Sequence, residues 1–214
     1  MLAENRLLSL LEPYIAAPVT GPGQGGDDGQ KATELAMADV APRLLIYLDL
    51  LLKWNQRTNL TAIRDPEDIV RRHFGESLFA ARLLARRIGD GGSVLDIGSG
   101  AGFPGLPTQL LLPDVHVVLA ESQGKKAAFL REVVRETGAK AEVWSSRAQD
   151  LPAERRFAAV TMRAVDRPEQ AVKEGLRRLE PGGYLLHLCG SADAQGEVVT
   201  VPGLAAGVVS IVRG

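Results

Sequence analysis

One short stretch of the sequence combines glycines with a carboxylate in a pattern typical of a small-molecule site. The stretch VLDIGSGAGFPG has Asp96 two residues before Gly98, and Gly100 and Gly102 follow at alternate positions. A glycine-rich turn after a strand lets a ligand approach the backbone, and the helix that follows offers free N–H groups. These residues predict a binding site for a nucleotide-like molecule.

Two cofactor classes compete for this turn. Gly100, Gly102 and Gly105 match the pattern G-x-G-x-x-G, which would indicate the dinucleotide of a dehydrogenase. The glycine series starts earlier, at Gly98, and Pro104 lies inside the match, which argues against that interpretation. S-adenosyl-L-methionine carries an amino group and a sulfonium, so an acid such as Asp96 suits it better than it suits a pyrophosphate. The remaining alternative is that these are ordinary turn glycines and surface acids.

A second acid follows the next apolar run. The stretch VVLAES ends with Glu121 one residue after a predicted strand, where a carboxylate can accept hydrogen bonds from both hydroxyls of a ribose. Both cofactor classes use such an acid. Glu121 therefore predicts a nucleoside without choosing between them.

The elements that position these residues alternate between strand and helix. Short apolar runs such as SVLDI, VHVVLA and FAAVTM are separated by helical stretches such as KKAAFLREVVRET, and two further strands close the chain. This alternation predicts an α/β fold with a mostly parallel sheet, an antiparallel C-terminal strand and crossovers on both faces. The motifs then lie at the carboxyl edge of that sheet.

The first part of the sequence is helical in pattern. We predict an N-terminal helical extension over residues 1–92, with a flexible Gly- and Asp-rich loop at 20–31, and a core over 93–214, all in one compact domain. One helix is expected from Pro42 to about Gln56. Asp65 is expected to cap another, with Pro66 in its first position.

The bulk composition excludes several classes of protein. Lys and Arg number 25 against 26 Asp and Glu, a formal charge of −1, so any RNA contact must come from local patches. The single cysteine, Cys189, allows no internal disulfide, which favours the cytoplasm. No apolar stretch reaches the roughly 20 residues of a membrane span. We therefore expect a cytoplasmic protein that does not cross a membrane, and we further expect a monomer without a metal.

Several segments of the sequence resemble the motifs of one protein family. They are, in order from about Lys53 to Gly190, KWNQRTNLTAIRDPEDIVRRHFGESL, VLDIGSGAGFPGLP, ESQGKKAAFLREVVRETG, SSRAQD, MRAV and PGGYLLHLCG. The chain thereby resembles the bacterial 16S ribosomal RNA guanine-N7 methyltransferases of the RsmG type, also called glucose-inhibited division protein B. The resemblance implies a Rossmann-like class I methyltransferase that uses S-adenosyl-L-methionine and acts on 16S ribosomal RNA or the small ribosomal subunit.

The resemblance also implies which residues face the cofactor. It assigns the methionine part of the cofactor to the turn from Gly98 to Gly102, the ribose to Glu121, and the adenine to Ala148 and Gln149. The predicted cofactor residues are Asp96, Gly98, Gly100, Gly102, Phe103, Glu121, Ala148, Gln149 and Arg163.

The chemistry of guanine N7 shapes the remaining expectations. N7 is a neutral lone-pair nucleophile, so methyl transfer needs no base, and catalysis rests on positioning and electrostatics. No general base is assigned. Candidates for lining the substrate pocket are Asn59, Thr61, Arg64, His73 and Arg163. Candidates for RNA contact are Arg71, Arg72, Lys125 and Lys126.

The sequence departs from the family at several positions. Glu76 and Glu121 replace aspartates and Met162 replaces a serine, while Cys189 stands where the family has a lysine, and only SADAQG separates Gly190 from the next strand. Two alternatives therefore stay open. One is a methyltransferase with another substrate, and the other is a protein that binds the cofactor or the ribosome with little catalytic activity.

Overall fold

The computed structural model describes residues 2–19, 27–89, 91–165, 167–190, 194–204 and 206–214. Within these, a π-helical turn at Val70–Gly75 joins α3 to α4, and a 3-10 turn at Ala148–Asp150 follows β3. The α-helices are α1 Glu4–Ala16, α2 Asp27–Asn55, α3 Pro66–Ile69, α4 Glu76–Ile88, α5 Gly105–Leu111, α6 Gly124–Thr137 and α7 Pro168–Arg177.

Seven strands form one sheet in the order β3-β2-β1-β4-β5-β7-β6. The strands are β1 Ser93–Ile97, β2 His116–Ala120, β3 Glu142–Trp144, β4 Phe157–Arg163, β5 Leu179–Gly190, β6 Glu197–Thr200 and β7 Gly207–Arg213. Strands β1 to β5 pair in parallel, and β7 runs antiparallel to both β5 and β6. The predicted fold class, a mostly parallel sheet with an antiparallel C-terminal strand, is confirmed.

Helix α2 is longer than the sequence predicts. Of the predicted flexible loop at 20–31, residues 27–31 belong to the helix, and residues 20–26 lie outside the described residues. Pro42 lies inside the helix instead of opening it, so the predicted helix start was wrong. Met37, Val40, Ala41 and Leu44 are all buried, so the apolar face continues across the proline. Packing of that face outweighs the hydrogen bond that Pro42 cannot donate.

The helices cover the two faces of the sheet unequally. One hydrophobic cluster joins α1, α2, α4, α5 and α6 to one face, and a smaller cluster packs α7 and the 3-10 turn on the other. The first cluster is a single group of contacting buried side chains, and its members come from positions between Leu7 in α1 and Ile211 in β7. The N-terminal helices and the sheet therefore share a core, while the division at residue 92 stays a prediction.

The start of α3 is as the sequence predicts. Asp65 caps α3 by accepting a hydrogen bond from the Asp68 backbone N–H, and Pro66 occupies the first helical turn. The π-helical turn that follows carries Arg72 and His73 toward the carboxyl edge of the sheet. In the described part of the chain, no helix is both long and apolar enough to cross a bilayer.

Candidate active site

The turn after β1 is held in a conformation that glycine tolerates best. Gly98, Gly100 and Gly102 have φ angles of +67°, +56° and +96°. The backbone N–H groups of Gly98 and Ser99 both donate to the carbonyl of Ala120, at 2.9 and 3.1 Å. The turn is therefore tied to the end of β2.

Asp96 supports this turn from below. Its side chain is fully buried, and its carboxylate accepts hydrogen bonds from the Thr161 hydroxyl at 2.8 Å and the Gly105 N–H at 3.3 Å. Burial raises the pKa of Asp96 to about 6. Asp96 does not line the cavity described below. Its contacts are those of a residue that fixes β1, β4 and the start of α5 relative to one another.

Glu121 faces the same turn from the end of β2. One carboxylate oxygen accepts the Gly100 N–H at 2.9 Å, and the other accepts the Gln123 N–H at 2.7 Å. Only 5% of the residue is exposed. A carboxylate has about four acceptor positions, so two stay free for hydroxyl donors after these bonds form.

A cavity of about 430 Å³ opens between these elements. Residues 98–101 of the turn after β1 line this cavity, and so do residues 60–62 of the loop after α2. The predicted residues that it brings together are Thr61, His73, Gly98, Gly100, Phe103, Glu121, Lys126 and Arg163.

Other predicted residues lie away from this cavity. Gly102 is turned toward Tyr47 and Leu106, and Ala148 is buried beneath the sheet with Gln149 exposed beside it. Asn59 and Arg64 are exposed, and the Arg64 guanidinium donates to the Asn55 carbonyl at 2.8 Å. Lys125 and Arg71 are also outside the cavity, and Arg71 pairs with Glu67 at 2.9 Å.

The sequence analysis missed Asn55, which shapes the loop carrying Thr61. The Asn55 side chain accepts from the N–H groups of Leu60 and Thr61 at 2.9 and 3.1 Å and donates to the Thr61 carbonyl at 2.9 Å. These bonds fold the chain back after α2 and aim Thr61 at the cavity. An asparagine at a helix end before a polar loop was the available signal, since such side chains satisfy nearby backbone groups.

Tyr47 is a second missed residue, and it supports the turn from the N-terminal helices. Its hydroxyl donates to the Ala101 carbonyl, and its ring stacks on Phe103 with centroids 5.3 Å apart. Phe103 in turn stacks on His73 at 4.8 Å. A column of rings thus joins α2 to the cavity wall.

His73 is neutral in this setting. Burial and the positive charge of Arg163 lower the pKa of His73 to about 3. Its Nε2 lies 2.7 Å from the Thr61 hydroxyl, and its Nδ1 has no hydrogen-bond partner among the described residues. The imidazole is therefore a poor general base.

The neutral imidazole has a consequence for stability. The folded-state pKa of about 3 lies below the ordinary value of 6.5, so the unfolded chain binds the extra proton as the pH falls below 6.5. We expect His73 to lower the free energy of unfolding by about 2 kcal/mol when the pH falls from 7 to 5. Denaturant titrations of the protein and of His73→Gln measure this loss, which the variant should lack. Asp96, whose pKa is raised, acts in the opposite sense in both proteins, so only the difference between them is diagnostic. Identical pH dependence in the two would contradict the assignment.

Arg163, which lines this cavity, pairs with Glu76, which does not, and the two side chains form a charged wall beside the cavity. An Arg163 nitrogen lies 2.8 Å from a Glu76 carboxylate oxygen, and the same nitrogen donates to the Arg72 carbonyl at 2.8 Å. The two side chains are 16% and 12% exposed. Burial raises the pKa of Glu76 and lowers the pKa of Arg163, and the opposite charge of each partner limits both shifts.

A second cavity of about 750 Å³ lies beyond this wall. It shares Arg163, Ala164 and Val165 with the first cavity. Ala164 has a φ of +48°, a conformation that alanine rarely adopts. Strained backbone of this kind is concentrated at functional sites, and here it separates the two cavities.

Of the four basic residues predicted to contact RNA, two line the cavities and two do not. Lys126 lines the first cavity and Arg72 the second, while Lys125 is exposed at the start of α6. Among the described residues, no group of three or more His, Cys, Asp or Glu side chains is arranged to hold a metal.

The turn itself offers a sharp test of tight packing. A methyl group at position 102 would lie 2.5 Å from the Tyr47 hydroxyl and 2.6 Å from a Leu106 carbon, on backbone with φ of +96°. We expect Gly102→Ala to lower the free energy of unfolding by at least about 2 kcal/mol, measured by denaturant titration. Gly124→Ala, in the first turn of α6 with open space around it, is the matched control and should change stability by less than about 0.5 kcal/mol. Equal effects of the two would show that the turn is not tightly packed.

The sheet order and the glycine turn facing an acid at the end of β2 define the fold of the class I S-adenosylmethionine-dependent methyltransferases. Solved structures agree. The T. thermophilus 16S rRNA N2 G1207 methyltransferase (RsmC) in complex with AdoMet and guanosine superposes with a TM-score of 0.53 at 22% identity, over 64% of this chain and 42% of that one. M. jannaschii TYW2 in complex with AdoMet gives 0.51 at 13% identity, over 64% and 74%.

Sequence comparison identifies the family. The model of GidB, rRNA small subunit methyltransferase G, matches residues 41–200, and the chain belongs to this family. A protein of Stenotrophomonas maltophilia (strain K279a) named ribosomal RNA small subunit methyltransferase G is 45% identical over 154 residues, which cover 72% of this chain and 70% of the relative. One of the same name from Xylella fastidiosa (strain M23) is 42% identical over 184 residues, covering 86% and 81%. The family that the sequence resembles is confirmed.

Proposed function

We propose that the protein transfers a methyl group from S-adenosyl-L-methionine to N7 of a guanine in 16S ribosomal RNA. The observation that supports this most directly is the pair of adjoining cavities at the carboxyl edge of the sheet, which share Arg163, Ala164 and Val165. The first cavity has the features of a nucleoside site, and the second is large enough for a planar base. Membership of the family, whose members are named as ribosomal RNA methyltransferases, supplies the substrate class.

The residues of the first cavity fit the cofactor. Gly98 and Gly100 present bare backbone, and the carboxylate of Glu121 keeps acceptor positions for the two hydroxyls of a ribose. When bound, the cofactor supplies a methyl group on a positively charged sulfur. The aromatic ring of Phe103 and the uncharged His73 line the same cavity, beside the charged side chains of Glu121 and Arg163.

Proton removal is not required of this site. Guanine N7 carries a lone pair and no hydrogen, so the protein must align the nucleophile and exclude water. Of the groups near the wall, His73 has its pKa lowered to about 3, and Asp96, with a pKa of about 6, is fully buried and occupied by Thr161 and Gly105. Neither is poised as a base, and an N7 nucleophile requires none.

Charge at the wall also suits this reaction. The methylated base is cationic, so a nearby carboxylate stabilises the product-like transition state more than the reactant. Glu76 is the carboxylate that lines the second cavity. Burial raises the pKa of Glu76, and the positive charge of Arg163, 2.8 Å away, limits that rise.

The substrate is a folded RNA, which the protein recognises through local basic residues and shape. Lys126 lines the first cavity and Arg72 lines the second, and both side chains are suited to phosphate contacts. The net charge of −1 gives no general attraction to RNA, so a preformed ribosomal particle is the favoured partner. The protein acts as a monomer in the cytoplasm.

The test is methyl transfer from labelled S-adenosyl-L-methionine to small ribosomal subunits taken from a strain that lacks the modification. The expected product is a single N7-methylguanosine in 16S ribosomal RNA, located by mapping of the label. Transfer to another base or another molecule would contradict the N7 assignment. Tight cofactor binding without transfer would identify a binding protein that has lost activity, the outcome that the replacement of the family lysine by Cys189 makes worth testing.

A further inference from the structure

Glu76 has unused hydrogen-bonding capacity in the second cavity. One of its carboxylate oxygens lies against Arg163, at 2.8 Å. The other faces the cavity beside Gly207, where an added methyl group would lie 3.3 Å from it, and no described residue donates a hydrogen bond to it. The side chain is only 12% exposed, so the oxygen that accepts no hydrogen bond favours a ligand that supplies N–H groups.

The two members of the ion pair lie at different positions relative to the two cavities. Arg163 lines both cavities, whereas Glu76 lines only the second. A ligand in the second cavity that reaches toward the first therefore meets a donor at Arg163, nearest the methyl-donor side, and an acceptor at Glu76 further away. The two groups are held side by side by their own contact and by the Arg72 carbonyl.

The hydrogen-bonding groups along the edge of guanine follow an order that complements Arg163 and then Glu76. From N7 the next positions are O6, an acceptor, then N1–H and the exocyclic amino group, both donors. We propose that Arg163 and Glu76 read this edge, with Arg163 donating to O6 and Glu76 accepting from N1–H and the amino group, which leaves N7 directed at the first cavity. This inference rests on the proposed function and adds Glu76 as a specificity-determining residue.

The same pair rejects adenine. Adenine has an amino group in place of O6 and an unprotonated N1, so it presents a donor to Arg163 and an acceptor to Glu76. Both contacts become unfavourable at once. Besides the ion pair, Arg72 and His187, the cavity is lined by small or apolar residues, among them Leu188, Leu204 and Gly207, which suit the faces of a flat ring.

The experiment compares the protein with Glu76→Gln and Glu76→Asp on small ribosomal subunits that lack the methyl group. We expect Glu76→Gln to lower kcat/KM by about 10- to 100-fold, because its amide places a donor against a donor, while cofactor affinity changes by less than about threefold. Glu76→Asp keeps the carboxylate and should retain activity within about tenfold. Subunits carrying adenosine at the mapped position give the second readout: the preference for guanosine should fall in Glu76→Gln, which a merely structural role would not cause.

A matched control separates recognition from folding. Glu174→Gln breaks another buried glutamate–arginine pair, with Arg178 at 2.7 Å, that lies in neither cavity. It should lower the melting temperature without changing kcat/KM. Glu76→Gln with normal activity and unchanged preference for guanosine would overturn the inference. A wild-type protein that transfers no methyl group would instead overturn the proposed function.

Discussion

Replacing Glu121 by glutamine is expected to weaken binding of S-adenosyl-L-methionine by about 10²-fold. In the proposed complex the Glu121 carboxylate accepts ribose hydroxyls while it also holds the N–H groups of Gly100 and Gln123. Hydrogen bonds to a charged acceptor contribute about 1.5–3 kcal/mol. The amide of glutamine would turn an N–H group toward one of these backbone donors, so both the cofactor contact and the shape of the turn are lost together.

Thermal unfolding with and without the cofactor measures this effect. At a cofactor concentration 100 times its Kd, the native protein gains about 2.7 kcal/mol, whereas a variant with a 100-fold higher Kd gains only about 0.4 kcal/mol. Glu121→Asp, which keeps the charge and has the side chain usual in the resembling family, should recover most of the gain. Glu136→Gln, at an exposed ion pair on α6, should behave as the native protein. Full stabilisation of Glu121→Gln would remove Glu121 from the cofactor site.

Local pattern predicted those parts of the fold and site that depend on neighbours in the sequence. Alternating strand and helix runs gave the sheet, because each run buries its own apolar face. The turn after β1 and the acid after β2 were predicted together, because parallel strands end at one edge of a sheet. The cap at Asp65 likewise depends on a residue only three positions away.

Long-range packing decided what the sequence could not predict. Tyr47 reaches the turn through the Ala101 carbonyl 54 residues later, and Glu76 meets Arg163 87 positions further along the chain. No local pattern encodes these meetings. Pro42 shows the same limit for secondary structure, because its usual role at a helix start is overruled by an apolar face that packs on both sides of it. Asp96 was predicted to face the cofactor, and its fully buried contacts with Thr161 and Gly105 became visible only in three dimensions.

These long-range contacts give the N-terminal helices a part in the site. Helix α2 supplies Tyr47 beneath the turn and Asn55 behind Thr61, and α4 supplies Glu76 to the wall. Residues that precede the sheet therefore line both cavities together with residues of the sheet: Thr61 and His73 line the first, and Glu76 lines the second.

Replacing Arg163 by methionine is the second change with a large expected effect. The substitution leaves the Glu76 carboxylate, 12% exposed, without its cation, and we expect the free energy of unfolding at pH 7 to fall by about 3 kcal/mol. Methyl transfer should fall by 10²-fold or more, because the group that lines both cavities is lost. Arg87→Met, which breaks the ion pair of a buried arginine with Glu197 away from both cavities, should destabilise the protein without lowering kcat/KM at a temperature where it is folded.

The double variant Arg163→Met with Glu76→Gln distinguishes the two consequences of that loss. With no charge left at the wall, the penalty of the unpaired carboxylate disappears, so stability should return to within about 1 kcal/mol of the native protein. Activity should not return, since neither the donor for O6 nor the carboxylate is restored. Denaturant titration measures stability, and methyl transfer to small subunits measures activity. Both are measured on the native protein, the two single variants and the double variant. Recovery of activity along with stability would mean that the pair acts only through folding, whereas recovery of stability alone assigns Arg163 and Glu76 to the reaction itself.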